Sequence, residues 1–141
     1  MAGPLPRQQY AALPWRRGPD GAMQVMLITS RETQRWVIPK GWPIQGMTPG
    51  GSAAQEAFEE AGIRGEVWNE PVGGYDYEKR LKSGRLQPVE VDVFPLLVRE
   101  QLEVWPESGQ RERRWFPLAE AATLVAEPRL AQVIREFGGG A

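Results

Sequence analysis

Between Pro39 and Gly51 the chain reads PKGWPIQGMTPGG, and more than half of these residues are glycine or proline. Such a run breaks both the helix and the strand period, so it is read as loop. The next stretch, SAAQEAFEEAGI, is its opposite. Ser52 is read as the N-cap of a helix, with Gln55 three residues later as in a capping box. The helix runs to about Ala61, and Gly62 supplies the stop. Ala53, Ala54, Ala57 and Ala61 are small and Phe58 is the one bulky apolar residue. A helix of that make can lie close to a sheet.

The flanking segments supply the strands. Met23–Thr29 is continuous and apolar, which predicts a central strand. Val89–Val98 begins with strict alternation and then turns fully apolar, as a strand does on entering a core. Shorter strands are predicted at Tyr10–Trp15, Trp36–Ile38, residues 63–68, residues 73–82 and Arg114–Phe116. Helices are predicted over Pro117–Ala126 and Arg129–Phe137, the second with Leu130, Val133, Ile134 and Phe137 on one stripe. The order of elements suggests an α+β class, a mixed sheet with helices packed on it. The 141 residues suffice for one domain and are too few for two. Residues 1–7 and 138–141 are read as flexible ends.

Composition narrows the chemistry. There is no cysteine, so disulfides, thiolate nucleophiles and thiolate metal sites are excluded. There is no histidine either, which removes the usual general base and the commonest metal ligand. A metal held here must be bound through oxygen, which favours a hard cation, Mg²⁺ or Mn²⁺. The net charge of −1 gives no global field toward nucleic acid, so nucleic acid is not an expected partner. The N-terminal stretch has no signal-peptide pattern and no run reaches the length of a membrane span, so a cytoplasmic location without membrane contact is expected.

Glu56, Glu59 and Glu60 crowd one helix with no basic residue among them. At about 100° per residue, Glu59 and Glu60 lie about 60° behind and 40° ahead of Glu56, so all three share a face. Like charges so spaced destabilise a helix by a few tenths of a kcal/mol per pair, roughly. The bland reading is a solvated acidic face. The sharper one is a divalent cation that reverses the sign of the repulsion. The glycine-rich loop before the helix favours the second, because it brings backbone groups close to a metal or a phosphate.

The stretch resembles the signature of the Nudix hydrolase family, G-x5-E-x7-R-E-U-x-E-E-x-G-U, where U is a bulky aliphatic residue. Gly41, Glu56, Ala57, Glu59, Glu60, Gly62 and Ile63 take its positions at the right spacing. WVIPKGW, AALPWR and RRWFPLAEA are similar to the subgroup that includes diphosphoinositol-polyphosphate and diadenosine-polyphosphate phosphohydrolases. The chain departs at three positions: Met47 stands for the first glutamate, Gln55 for the arginine, and Ala57 is smaller than usual. A neutral pair, Met47 and Gln55, thus replaces an acid and a base that would support each other across the loop–helix junction.

The resemblance implies the Nudix fold, a mixed sheet sandwiched between helices. It implies hydrolysis of a nucleoside or polyol diphosphate linked to another moiety, with Mg²⁺ or Mn²⁺ and a small phosphoanhydride substrate, by a monomer or homodimer. Dinucleoside polyphosphates and inositol pyrophosphates are the candidate substrates. Glu59 and Glu60 are expected as metal ligands, Glu56 as a ligand or the general base, and the Gly41 carbonyl as a further ligand. Glu112 is the choice for an additional carboxylate, with Glu107, Glu90 and Asp92 competing. Arg31 and Lys40 are expected on phosphates, and Trp42 and Tyr75, with Tyr77, as stacking partners for a base. Arg35, Lys79, Arg80, Lys82 and Arg85 are expected to face solvent. The other functional class left open is a protein of this fold that binds a phosphorylated ligand without cleaving it. An RNA 5′-end pyrophosphohydrolase is the weaker third reading, for want of a broad basic surface.

Overall fold

The computed structural model describes residues 3–139. The elements run β1 (Arg7–Arg17), β2 (Met23–Thr29), β3 (Trp36–Val37), β4 (Lys40–Gly41), α1 (Pro49–Ala61), β5 (Ile63–Val67), β6 (Gly73–Arg80), β7 (Leu86–Gln101), β8 (Arg113–Pro117), α2 (Leu118–Leu124) and α3 (Pro128–Gly139). Arg7 belongs to β1 and Gly139 to α3. Residues 1, 2, 140 and 141 lie outside the described residues. No helix among the described residues is long and apolar enough to cross a membrane.

The strands form one sheet in the order β3-β2-β1-β7-β5, with β4 joined to β1, β6 to β7 and β8 to β2. β1 and β7 run parallel, from Arg7 opposite Val89 to Trp15 opposite Leu97. Every other pairing between these strands is antiparallel. The sheet is therefore mixed, as expected. β7 is long because its edge away from β1 serves two partners, β6 along its first half and β5 along its second.

Alternation explains the layering. Successive side chains of a strand point to opposite faces. Ala11, Leu13, Val25, Leu27, Val89, Val91 and Val93 face one core, with Ala121, Ala122, Leu130 and Ile134 of α2 and α3 packed on them. Ala12, Met26, Ile28, Phe94 and Leu96 face the other, against Ala53, Ala57 and Ala61 of α1. β2 and the middle parts of β1 and β7 read as nearly continuous apolar runs because both faces are covered there. The predicted sandwich of a sheet between helices is present.

The start of α1 differs from the sequence reading. Its N-cap is Thr48, whose hydroxyl accepts from the Gly51 N–H at 3.0 Å, and Pro49 takes the first helical position. Proline suits that position because its missing N–H would be unsatisfied there anyway. Ser52 is instead a buried residue of the first turns, and its Oγ accepts from the Ile44 N–H at 3.0 Å. The serine ties the glycine-rich loop back onto the helix. The far end agrees with expectation: Gly62 adopts φ 67°, a left-handed C-cap, and its N–H donates to the Phe58 carbonyl. The loop is not wholly irregular either. Lys40 and Gly41 pair with Ala11 and Tyr10 of β1, which sets Gly41 against α1.

Candidate active site

Three alanines of α1 seat the helix on the sheet, and that contact fixes where its acids point. Glu60, 9% exposed, accepts from the Lys40 N–H at 3.3 Å. Glu56 leans over Gly41 so closely that a Cβ there would stand 2.4 Å from its carboxyl carbon. Only glycine leaves room for that carboxylate. Glu59 turns along the helix and accepts from Gln55 Nε2 at 3.2 Å. Gln55 is thus engaged within α1, while Met47 is 46% exposed.

The crowding shows in proton affinity. Burial pushes the Glu56 carboxyl up to about 8, reinforced by the charges of Glu60, Glu59 and Glu107. A hydrogen bond between the Glu56 and Glu60 carboxyls works in the same direction on Glu56. Glu60 is also raised by burial, against the opposing pull of Arg111 and Lys40. Both carboxylates are held where their charged forms are unfavourable.

The residues fit a hard divalent cation. The donor set is oxygen alone, and Glu56, Glu60 and the backbone of Gly41 meet at one point of the fold. Among the described residues no three carboxylates are arranged as a closed metal cage. Glu59 is the one drawn aside, by Gln55. The fourth acid of the neighbourhood is Glu107, whose charge acts on both Glu56 and Glu60 and whose N–H donates to the Glu59 carbonyl at 3.1 Å. Glu112, the expected choice, is exposed; its backbone exchanges bonds with Thr29, N–H to Oγ1 at 2.9 Å and carbonyl from N–H at 3.0 Å. Glu90 and Asp92 line a separate groove with Asp76 and Glu78.

Beside Glu60 opens a cleft of about 740 Å³. Arg31, Arg35, Lys40, Lys79, Arg80 and Arg111 line it. Arg31 and Lys40 were expected there. Arg35 and Arg80 are exposed, as expected, and with the partly buried Lys79 they also line this opening; Lys82 and Arg85, beyond the end of β6, are not among the lining residues. Lys40 is held low by burial, although Glu60 and Glu127 pull the other way. Its Nζ sits 5.0 Å above the Tyr77 ring.

Two aromatic expectations are corrected. Tyr75 is 3% exposed and belongs to the core under α2 and α3, so its ring has no free face for a base. Tyr77 lines the cleft instead, and its hydroxyl donates to Gln9 Oε1 at 2.7 Å. Burial pushes that hydroxyl up to about 12. Trp42 packs against the core with the Arg7 guanidinium 4.1 Å from its ring centre, and it does not line the cleft.

The segment after β7 closes the other end of α1. Trp105 Nε1 donates to the Glu60 carbonyl at 3.0 Å, and Arg113 Nη1 donates to the carbonyls of Ala61 at 2.9 Å and Gly62 at 3.2 Å. Arg113 also donates to the Leu102 carbonyl and stacks on Trp105. The last carbonyls of a helix have no partner within it. Trp105 is one of the groups that satisfy them.

A family model described as the NUDIX domain matches residues 7–137. The chain belongs to the Nudix family. It is 32% identical over 128 residues to Nudix hydrolase 13, mitochondrial, of Arabidopsis thaliana, covering 84% of this chain and 61% of that protein. It is 33% identical over 136 residues to Nudix hydrolase 21, chloroplastic, of the same plant, covering 93% and 66%. It is 34% identical over 105 residues to diphosphoinositol polyphosphate phosphohydrolase 3-beta of Bos taurus, covering 72% and 60%. The Nudix chain therefore spans less than two thirds of the length of these relatives. Among solved structures it resembles C. elegans Ap4A hydrolase, TM-score 0.68 at 17% identity, covering 96% of this chain and 98% of that one. It also resembles E. coli dihydroneopterin triphosphate pyrophosphohydrolase, TM-score 0.71 at 17% identity, covering 95% and 96%. These two likenesses establish the Nudix fold. Glu56, Glu59 and Glu60 stand at the glutamate positions of the Nudix signature, and Met47 and Gln55, two of the three positions that depart from it, share no hydrogen bond.

Proposed function

We propose that this chain is a hydrolase of phosphoanhydride bonds that works with Mg²⁺ or Mn²⁺ on a small substrate rich in phosphate. One observation carries the reading: two carboxyls, unfavourable as anions, are packed together, and one of them, Glu60, lines a cleft that also holds six cations. A carboxylate pair so placed is poorly explained by a solvated face, since Glu60 is buried.

Glu56, Glu60, the Gly41 carbonyl and Glu59 are the groups that would hold the cation, which on binding neutralises phosphate charge and acidifies water. Lys40, at the foot of the cleft, and Arg31, Arg35, Lys79 and Arg80 around it would bind the phosphates. Glu56, where it does not itself hold the cation, would take the proton of the attacking water. The water oxygen bonds to one phosphorus as the bridging P–O bond breaks, and the departing phosphate carries away the electron pair. Five cations around the cleft, Arg111 aside, are more than a lone diphosphate needs, which supports the polyphosphate class. Inositol pyrophosphates and dinucleoside polyphosphates remain the candidates.

A binding protein that does not cleave is the second reading, supported by the bond that draws Glu59 to Gln55. The experiment is phosphate release from a panel of diphosphate and polyphosphate compounds with Mn²⁺, with and without chelator. Chelator-sensitive release supports hydrolysis. Saturable binding of those compounds with no release from any of them would instead establish the second reading.

A further inference from the structure

Arg111 stands apart from the other cations of the cleft. Its side chain is 9% exposed. Its Nε donates to Glu107 Oε1 at 2.7 Å, and its Nη1 donates to the Thr29 carbonyl at 3.0 Å. The remaining nitrogen, Nη2, lies 3.8 Å from Glu60 Oε1. The guanidinium is thus fixed tightly by one acid and a backbone carbonyl, and loosely by the other acid. It cannot shed its charge by losing a proton.

We propose that Arg111 is the resident counter-ion of the glutamate cluster, holding Glu60 while no metal is bound and opposing a divalent cation there. The inference rests on the metal-dependent reading above and deepens it. Two features support it. An arginine committed to catalysis through phosphate contact alone would not need an acid on each side, Glu60 buried and Glu107 partly buried. The asymmetry of its bonds also lets Glu60 be released while Arg111 keeps its anchors at Glu107 and Thr29. Glu60 can then turn to a cation without the loop between β7 and β8 moving away. Arg111 is a positioning residue on this account, since it acts through Glu60.

A unit charge within a few ångströms of a divalent ion repels it by more than RT even at high effective dielectric. Removing it tightens the site on the order of tenfold or more. The test is Mn²⁺ titration of the full chain by calorimetry, with thermal unfolding in chelator and in saturating Mn²⁺. Arg111→Gln keeps a donor for Thr29 or Glu107 and loses the charge. It is expected to bind Mn²⁺ about tenfold tighter, melt lower than wild type in chelator, and regain most of that deficit in Mn²⁺. Arg111→Lys keeps the charge and should bind within about twofold of wild type.

Unchanged or weaker Mn²⁺ binding by a folded Arg111→Gln protein would overturn the proposal. So would a melting deficit of equal size with and without Mn²⁺, the mark of a scaffold residue. A readout free of any substitution covers the case where the variants do not fold: Mg²⁺ titration of the wild-type protein, followed through its arginine Nε–H NMR signals. The Arg111 signal should shift as Glu60 is released, and a static signal counts against the idea. Wild type that binds neither ion overturns the metal-dependent reading too, whereas normal wild-type binding with an indifferent Arg111 overturns only this proposal.

Discussion

Glu56 offers a direct measure of the strain in this site. The substitution is Glu56→Gln, which keeps the shape of the side chain and removes its charge at every pH. In the folded chain the carboxyl is pushed from its ordinary 4.5 up to about 8. The folded state therefore holds a proton that the unfolded state releases between those values. Stability conferred by the protonated group is full below pH 4.5 and is lost as pH rises to 8. A difference of about 3.5 pH units at about 1.36 kcal/mol each sets a ceiling near 5 kcal/mol. Glu56 is only half-buried, and screening by solvent reduces this to about 2 kcal/mol. For a chain of this length that is about 7 °C in melting temperature.

The assay is thermal unfolding in chelator from pH 4.5 to 9, wild type beside variant. The two should coincide at the acid end. The variant should pull ahead as pH rises, by about 7 °C near pH 8.5, while its Mn²⁺-dependent turnover disappears. Saturating Mn²⁺ should reverse the order, since wild type gains more from the ion. A variant no more stable than wild type at pH 8.5 in chelator, or a gap that does not change with pH, would refute the reasoning.

Glu60→Gln should abolish chelator-sensitive phosphate release and leave the melting temperature within a few degrees of wild type; full release from that variant removes Glu60 from the site. Gly41→Ala places a Cβ 2.4 Å from the Glu56 carboxyl carbon, so it should displace Glu56 and lower kcat at least tenfold while circular dichroism stays unchanged. Thr48→Ala removes the N-cap of α1 and should lower stability by about 1 kcal/mol, read as a shift in the urea midpoint. Lys40→Met removes a cation from the foot of the cleft and should raise KM for a polyphosphate substrate more than for a simple nucleoside diphosphate. Equal changes for both would show that Lys40 does not count phosphates.

The parts of the fold that were legible in the sequence are those set by local periodicity. β2 was readable to the residue because both its faces are buried and its ends meet turn formers. The shared face of Glu56, Glu59 and Glu60 followed from helical geometry alone. The start of α1 was misread because two hydroxyl residues, Thr48 and Ser52, compete for the cap, and the arbiter is Pro49, whose ring suits only the first helical position. Tyr75 and Tyr77 have the same strand parity and therefore the same face, so alternation cannot separate them. What separates them is α3, which packs against β6 where Val133 lies against Gly73 and stops short of covering Tyr77. Trp105, Arg111 and Arg113 were beyond reach for a related reason, and the sequence could offer Glu107 only as one of several competing acids. They act on α1 from a segment more than forty residues away, and no spacing within that segment records the contact. The residues that oppose or satisfy the glutamate helix are therefore set by tertiary structure. The chemistry written into the helix is general to its family, and the balance of charge around it is where this chain can differ.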